Sequence, residues 1–174
     1  CHTKLKKNAY SMMRQLIVLL AIISMAFCVS AQETATVKNT SHKRGYKFNA
    51  ELGLGIKEQM YFSTSHGYNF GNGLFVGGGA SFMAEWGENY FEGDPNMITP
   101  VYGEIKYTPF NTLVSPYIDF RTGAAIDITN KKVRMMIAPS IGIDLACVSL
   151  GIGYTWHTIN LPWNGLNISA SINF

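Results

Sequence analysis

The chain is poor in cysteine: three in 174 residues, with neither the spacing of a metal site nor the density of a disulfide framework. It has no excess of one charge once its first residues are set aside. Residues 1–31 hold four of the 14 Lys and Arg and none of the 11 Asp and Glu, leaving ten basic against eleven acidic side chains in the rest. The basic isoelectric point therefore belongs to the leading segment, and no nucleic-acid partner is indicated. After residue 45 no window sustains a 3.6-residue apolar period with helix caps, so strands must organise the chain. Nor is there an apolar run long enough for a helical span. The longest, LIVLLAIISMAFCV over residues 16–29, falls short of the ~20 residues required.

That run is preceded by Lys4, Lys6, Lys7 and Arg14 and followed by Ser30, Ala31 and Gln32. A charged start, a short apolar core and small residues before a cut describe a secretory signal peptide over residues 1–31, with Val29 at −3 and Ala31 at −1. A membrane-anchoring helix is the competing reading, and its weakness is length. A lipoprotein signal at Cys28 is disfavoured by Phe27, where a small residue is needed. Because the sequence opens on Cys1, translation is expected to begin at Met12 or Met13. Removal of the leader takes Cys1 and Cys28 with it and leaves Cys147 as the one cysteine of the mature chain. Residues 32–44 are polar and unpatterned, a flexible periplasmic arm in which His42 reads as solvated.

From Gly45 onward apolar and polar residues alternate. Tyr46, Phe48, Ala50, Leu52, Leu54 and Ile56 form one face of the first strand; Lys47, Asn49, Glu51, Gly53, Gly55 and Lys57 form the other. At ~10 residues or more, such strands exceed the usual ~5–6 of globular sheets and suit a tilted crossing of a bilayer. The second strand, about residues 60–70, keeps the parity of Phe62, Tyr68 and Phe70 only if His66 lies on the apolar face or a bulge intervenes. Gly71, Asn72 and Gly73 make a tight turn, and Leu74, Val76, Ala80, Phe82, Ala84 and Trp86 follow as the third face. Residues 87–100 read as the longest loop. Val101, Gly103, Ile105 and Tyr107 mark the fourth strand; Pro116, Ile118, Phe120, Thr122, Ala124 and Ile126 mark the fifth. Met135, Ile137, Pro139, Ile141 and Ile143 face out from the sixth, and Val148, Leu150, Ile152, Tyr154 and Trp156 from the seventh. In the last, Leu166, Ile168, Ala170, Ile172 and Phe174 alternate with Asn167, Ser169, Ser171 and Asn173. Left open, such a half-apolar strand would be an aggregation hazard, so it is expected to pair with the first.

The expected fold is thus an all-β, eight-stranded antiparallel up-and-down transmembrane β-barrel over residues 45–174. Its odd connections (58–59, 87–100, 127–132, 158–165) are longer than its even ones, the first excepted. That alternation places the short turns and both termini in the periplasm. Most strand glycines (Gly53, Gly55, Gly77, Gly79, Gly103, Gly123, Gly142, Gly151, Gly153) fall on the non-apolar parity, together with Glu51, Glu104, Lys106, Asp119, Arg121 and Asp144. An eight-stranded bore is filled by side chains. Glycine would relieve crowding there, and the charges would pair as a structural network. A closed ladder satisfies every backbone group, as a bilayer demands, and Tyr46, Trp86, Tyr107, Tyr154, Trp156 and Phe174 fall where interfacial girdles lie. The alternative is a soluble, lipocalin-like barrel with its apolar parity inward, whose exterior would have no need of those glycines.

The final strand ending in Phe174 resembles the C-terminal signature of bacterial outer-membrane barrels. STSHGYNFGNGLFVGGGASF at residues 63–82, PVYGEIKYTPFNTLVSPYIDFRTG at 100–123 and SLGIGYTW at 149–156 resemble the small outer-membrane β-barrel domain family, akin to the OmpA and OmpX transmembrane barrels. The resemblance implies an integral outer-membrane location, lipid and lipopolysaccharide as surroundings, recognition of the last strand by the barrel assembly machinery, and a monomer. It implies fold more than activity, since no catalytic residue defines the family.

Catalytic chemistry is not evident. The lipid A deacylase type of eight-stranded barrel uses a His and a Ser two residues on, whereas His157 is followed by Thr158 and Ile159. Ser65 and His66 lie on opposite faces and cannot form a nucleophile and base. VGGGAS at residues 76–81 lacks the Lys-Ser or Lys-Thr and the helix of a phosphate loop. The acidic loop with Glu85, Glu88, Glu92 and Asp94 near Tyr90 and Phe91 could meet a surface partner or divalent cations bridging lipopolysaccharide, though a solvated loop is the simpler reading. No cofactor, no metal site and no enzyme are expected. A structural or surface-interaction role is favoured over a small-molecule or lipid-binding barrel, and both over a lipid-modifying enzyme. Cleavage at Ala31/Gln32 is expected to give a membrane-purified protein whose mass begins at Gln32; an intact leader by mass spectrometry would overturn it.

Overall fold

The structure, a computed structural model, describes residues 42–55, 59–85, 96–128, 131–158 and 164–174. These hold eight strands: β1 Gly45–Gly55, β2 Gln59–Asn69, β3 Leu74–Glu85, β4 Asn96–Tyr107, β5 Val114–Asp127, β6 Lys132–Leu145, β7 Val148–His157 and β8 Gly165–Asn173. Each pairs antiparallel with its neighbours in sequence order, and the sheet closes on itself. The closing seam runs from Asn49↔Asn173 to Gly55↔Asn167. Backbone bonds between Phe48 and Phe174 (3.2 and 2.8 Å) extend it, and their rings stack at 5.9 Å. The final strand therefore has no open edge, which is what its alternation required.

Burial follows the period-two pattern, inside out relative to a soluble protein. Ile118, Ile141, Ile152 and Ile168 on the outer face are 56–64% exposed, while Glu51, Ser63, Ser65, Glu104, Asp119 and Ser149 on the inner face are 5% exposed or less. A lipocalin-like barrel would have these two sets reversed, so that alternative fails. Tyr46, Tyr107, Tyr154, Trp156 and Phe174 are exposed at strand ends, as girdle residues are. The two prolines of mid-strand leave local gaps: the β3–β4 register lapses between Ala80↔Val101 and Met83↔Ile98, and that of β6–β7 between Ile137↔Trp156 and Ser140↔Gly153. Pro100 and Pro139 sit there without an N–H to give.

Several sequence expectations need correction. β4 begins at Asn96, not Val101. Ile98 and Pro100 are almost fully buried on its inner face, and the alternation was masked because its outward partners there include the polar Thr99. Gly103 faces outward, sharing parity with Val101, Ile105 and Tyr107 and pairing with Gly78. β2 has no bulge: its register to β1 and β3 is unbroken, and His66 is outward. His42 is not simply solvated, because its Nε2 lies 2.9 Å from the Thr108 carbonyl. Asp127 and Lys132 belong to strands, not to the loop. Cys147, expected to stand alone, is disulfide-bonded; Cys1 and Cys28 lie outside the described residues, as do the leader, most of the arm, Ile56, Lys57 and Trp86.

The even turns are tight for local reasons. At residues 70–73 the side chain of Asn69 accepts from Gly71 N–H at 2.9 Å and that of Asn72 from Leu74 N–H at 3.1 Å. Gly71 and Gly73 take φ of 84° and 85°, which other residues adopt only with strain. Inside the bore, glycines make room for tyrosines: a Cβ at Gly53 would meet the Tyr61 ring, one at Gly79 the Tyr102 hydroxyl, and one at Gly142 or Gly151 the Tyr117 ring or hydroxyl. Large side chains thus fill a narrow barrel because the facing wall has none. Gly142→Val should cost about 1–3 kcal/mol, read as a lowered urea midpoint in micelles. An unchanged midpoint would show that Tyr117 does not occupy that space.

Candidate functional site

The interior lattice is built around Arg121. Its guanidinium reaches across the bore from β5 to Glu51 on β1, with Nη1 to Oε1 at 2.9 Å and Nη2 to Oε2 at 2.7 Å. This parallel two-bond geometry is the strongest form of a carboxylate–guanidinium pair. Glu104, the register partner of Arg121 on β4, accepts from Nη2 at 3.3 Å. Asp119, two residues back on the same face, places Oδ2 2.9 Å from Nε, and Ser140 Oγ lies 3.4 Å from that oxygen. The Tyr102 ring lies 5.4 Å from the guanidinium carbon. One cation therefore gathers three carboxylates: period-two alternation turns them inward, and the register between strands brings them to one level.

A second cluster lies toward the turn end. Lys106 Nζ donates to Asp144 Oδ1 at 2.7 Å and to Ser149 Oγ at 3.1 Å, and rests 4.1 Å above the Tyr117 ring centre. Thr108 Oγ1 donates to Asp144 Oδ2 at 2.9 Å. Ser149 also donates to Asp144 and accepts from Asn173 Nδ2 at 2.7 Å. The wholly buried Asp144 carboxylate is thus held by Lys106, Thr108 and Ser149, and Asn173 of β8 joins the cluster through Ser149. Toward the loop end the bore turns apolar: Met83, Ile98, Tyr102, Ala125 and Met136 pack together, with Tyr61 against them. Arg134 and Asp127 lie 3.6 Å apart beyond this layer.

The sequence-predicted network of Glu51, Glu104, Lys106, Asp119 and Arg121 is all interior, but it is two clusters. Lys106 leaves Arg121's group for Asp144. Of the proposed surface-loop residues, Glu88, Tyr90, Phe91, Glu92 and Asp94 lie outside the described residues. Sequence reasoning missed the Arg134–Asp127 pair and the apolar layer, although parity counted from Arg121 and from Ile137 would have turned Asp127 and Arg134 inward. His157 is wholly buried at the loop end, and neither ring nitrogen has a hydrogen-bond partner among the described residues. No group of three or more His, Cys, Asp or Glu among the described residues has the geometry of a metal site.

Among the voids that remain are two small ones. One of about 40 Å³ is lined by Glu51, Tyr61, Tyr102, Arg121 and Ser169 among others; the other, about 20 Å³, by Lys47, Asn49, Glu104, Lys106 and Asn173 among others. Roughly 10–15 Å³ of such volume holds one water, so the spaces fit a few waters and one or two. Ligand pockets run to roughly 300 Å³ or more. The Asn49 amide oxygen and Glu104 Oε2, both without a hydrogen-bond partner among the described residues, belong to residues lining the smaller void, where a water would satisfy them.

No family model and no curated protein matches the chain. Among solved structures it is similar to a de novo designed transmembrane β-barrel (13% identity, TM-score 0.46, 74% of this chain and 94% of that one). It is also similar to the outer membrane enzyme PagL (12% identity, TM-score 0.45, 73% and 96%), and to the designed barrel TMB2.3 (13% identity, TM-score 0.43, 75% and 94%). With identities this low, the likeness extends to no residue's role.

Removing Arg121 would leave three carboxylates in the bore without their shared cation. Arg121→Ala should cost about 3–5 kcal/mol of stability, measured by urea titration in lipid vesicles. A loss under about 1 kcal/mol, the range of an exposed pair, would show that water screens the cluster.

Proposed function

We propose that the chain is an integral outer-membrane β-barrel, related in kind to the OmpA and OmpX barrels, with a structural or surface-interaction role and a closed, non-conducting interior. The observation that carries this reading is the bore itself. The Arg121 layer lies between the two voids, with Glu51 and Arg121 on one and Glu104 on the other, and the apolar layer of Met83, Ile98 and Met136 sits on its loop side. A hydrated ion meets salt bridges and then methionine and isoleucine. The exposed apolar face supports lipid as its surroundings, lipopolysaccharide lies on the loop side in this orientation, and the assembly machinery receives β8. The barrel closes within one chain, which is compatible with the monomer of this reading.

A binding barrel finds little support in voids of this size. An enzyme finds little in the histidines: His66 has its Nδ1 engaged by Tyr46, and His157 is inside the bore. This reading assigns the role at the cell surface to the long loop between β3 and β4, for the acidic and aromatic residues in its sequence. Planar-bilayer recording tests the central point. The purified barrel should show no steady ion conductance, and a porin-like current would overturn the proposal. An epitope inserted near Gly93 should bind antibody on intact cells; labelling only after the membrane is broken would reverse the orientation.

A further inference from the structure

The start of β1 and the end of β2 carry a polar cluster on the outer face that the interior lattice does not use. Tyr46 pairs with Tyr68, and Phe48 with His66, so Tyr46, His66 and Tyr68 share that face within about 7 Å along the strands. Arg44, one residue ahead of β1, donates through Nε to Tyr68 Oη at 3.0 Å. This contact fixes the guanidinium and leaves both terminal nitrogens without a hydrogen-bond partner among the described residues. The Tyr46 hydroxyl and His66 Nδ1 are joined at 2.5 Å. With the hydroxyl donating, the ring proton sits on Nε2 as a further donor.

Charge and depth both point to one class of ligand. Glu51, Glu104, Asp119, Asp127 and Asp144 are all buried, so no described carboxylate side chain competes for these donors on the outer face, and Lys43 beside them is exposed. The apolar surface continues to the rim at this end, where Phe70, Phe110 and Leu113 in the turns are about half exposed. The cluster therefore lies at headgroup level, where tyrosines beside a basic residue meet anionic lipid. We propose that Arg44 and His66, held by Tyr68 and Tyr46, bind the phosphate of an anionic phospholipid in the leaflet on the turn side. Arg44 supplies the two-pronged contact, and the Phe70 ring, edge-on to Tyr68 at 5.3 Å, packs against the glycerol and first methylenes.

This inference rests on the reading that the outer face meets lipid, and its test separates the two. The mature full chain is folded into phosphatidylcholine vesicles, checked by the gel-mobility shift of a folded barrel, then transferred to detergent and titrated with phosphatidylglycerol under native mass spectrometry. One lipid should be retained, with retention roughly tenfold weaker for Arg44→Gln, weaker for His66→Gln, and unchanged for Lys132→Gln, an exposed cation at the far end. Arg44→Lys, which keeps the charge but not the fork, should fall between, and millimolar inorganic phosphate should not displace the lipid. Equal retention by Arg44→Gln, equal loss in Lys132→Gln, or displacement by free phosphate would overturn the site while leaving the membrane barrel standing. Failure of the unmutated chain to fold into vesicles would remove both.

Discussion

A guanidinium surrounded by three carboxylates in the middle of a narrow bore is the interaction on which the rest of this barrel depends. Burying any one of these charges alone would cost several kcal/mol, so each carboxylate depends on the one guanidinium they share. Arg121 makes its strongest contact with Glu51 across the barrel rather than with a strand neighbour. The pair therefore ties the first strand to the fifth, which no backbone ladder in an up-and-down barrel does. Register errors in β1 or β5 would turn one partner outward into the apolar band, so the salt bridge selects against them.

Filling the bore around that link is a matter of volume. Tyr61, Tyr102 and Tyr117 are too large for a wall with ordinary side chains, and glycines opposite each of them supply the missing space. The tyrosines in turn bring rings to the cations, Tyr117 under Lys106 and Tyr102 beside Arg121. Three layers result along the axis: a Lys106–Asp144 cluster near the turns, the Arg121 cluster in the middle and an apolar plug near the loops. The two voids beside these layers, about 40 and 20 Å³, each fit no more than a few waters.

Strand number, closure and the identity of the inner face were legible in the sequence because period-two alternation is a direct record of which side each residue meets. Glu51, Glu104, Lys106, Asp119 and Arg121 could be assigned inward from parity alone. Their division into two clusters could not, because it depends on stagger between strands: Lys106 sits opposite Asp119 in register yet reaches Asp144. The start of β4 was hidden for another reason. In this barrel the inner face near the loops is apolar, so Ile98 and Pro100 broke the polar-inside pattern just where the strand begins. His42 illustrates a third limit, since its carbonyl partner on Thr108 is 66 residues away.

The central claim is that the apolar parity of this barrel faces lipid. Tryptophan placed at Ile141 or Ile168, 64% and 61% exposed on mid-barrel strands, reports on it directly in a chain whose own tryptophans are replaced by phenylalanine. After folding into phosphatidylcholine vesicles brominated on the acyl chains, both positions should be strongly quenched by the lipid and left unquenched by aqueous acrylamide. Quenching by acrylamide and not by the brominated chains would place that face in water and contradict the account.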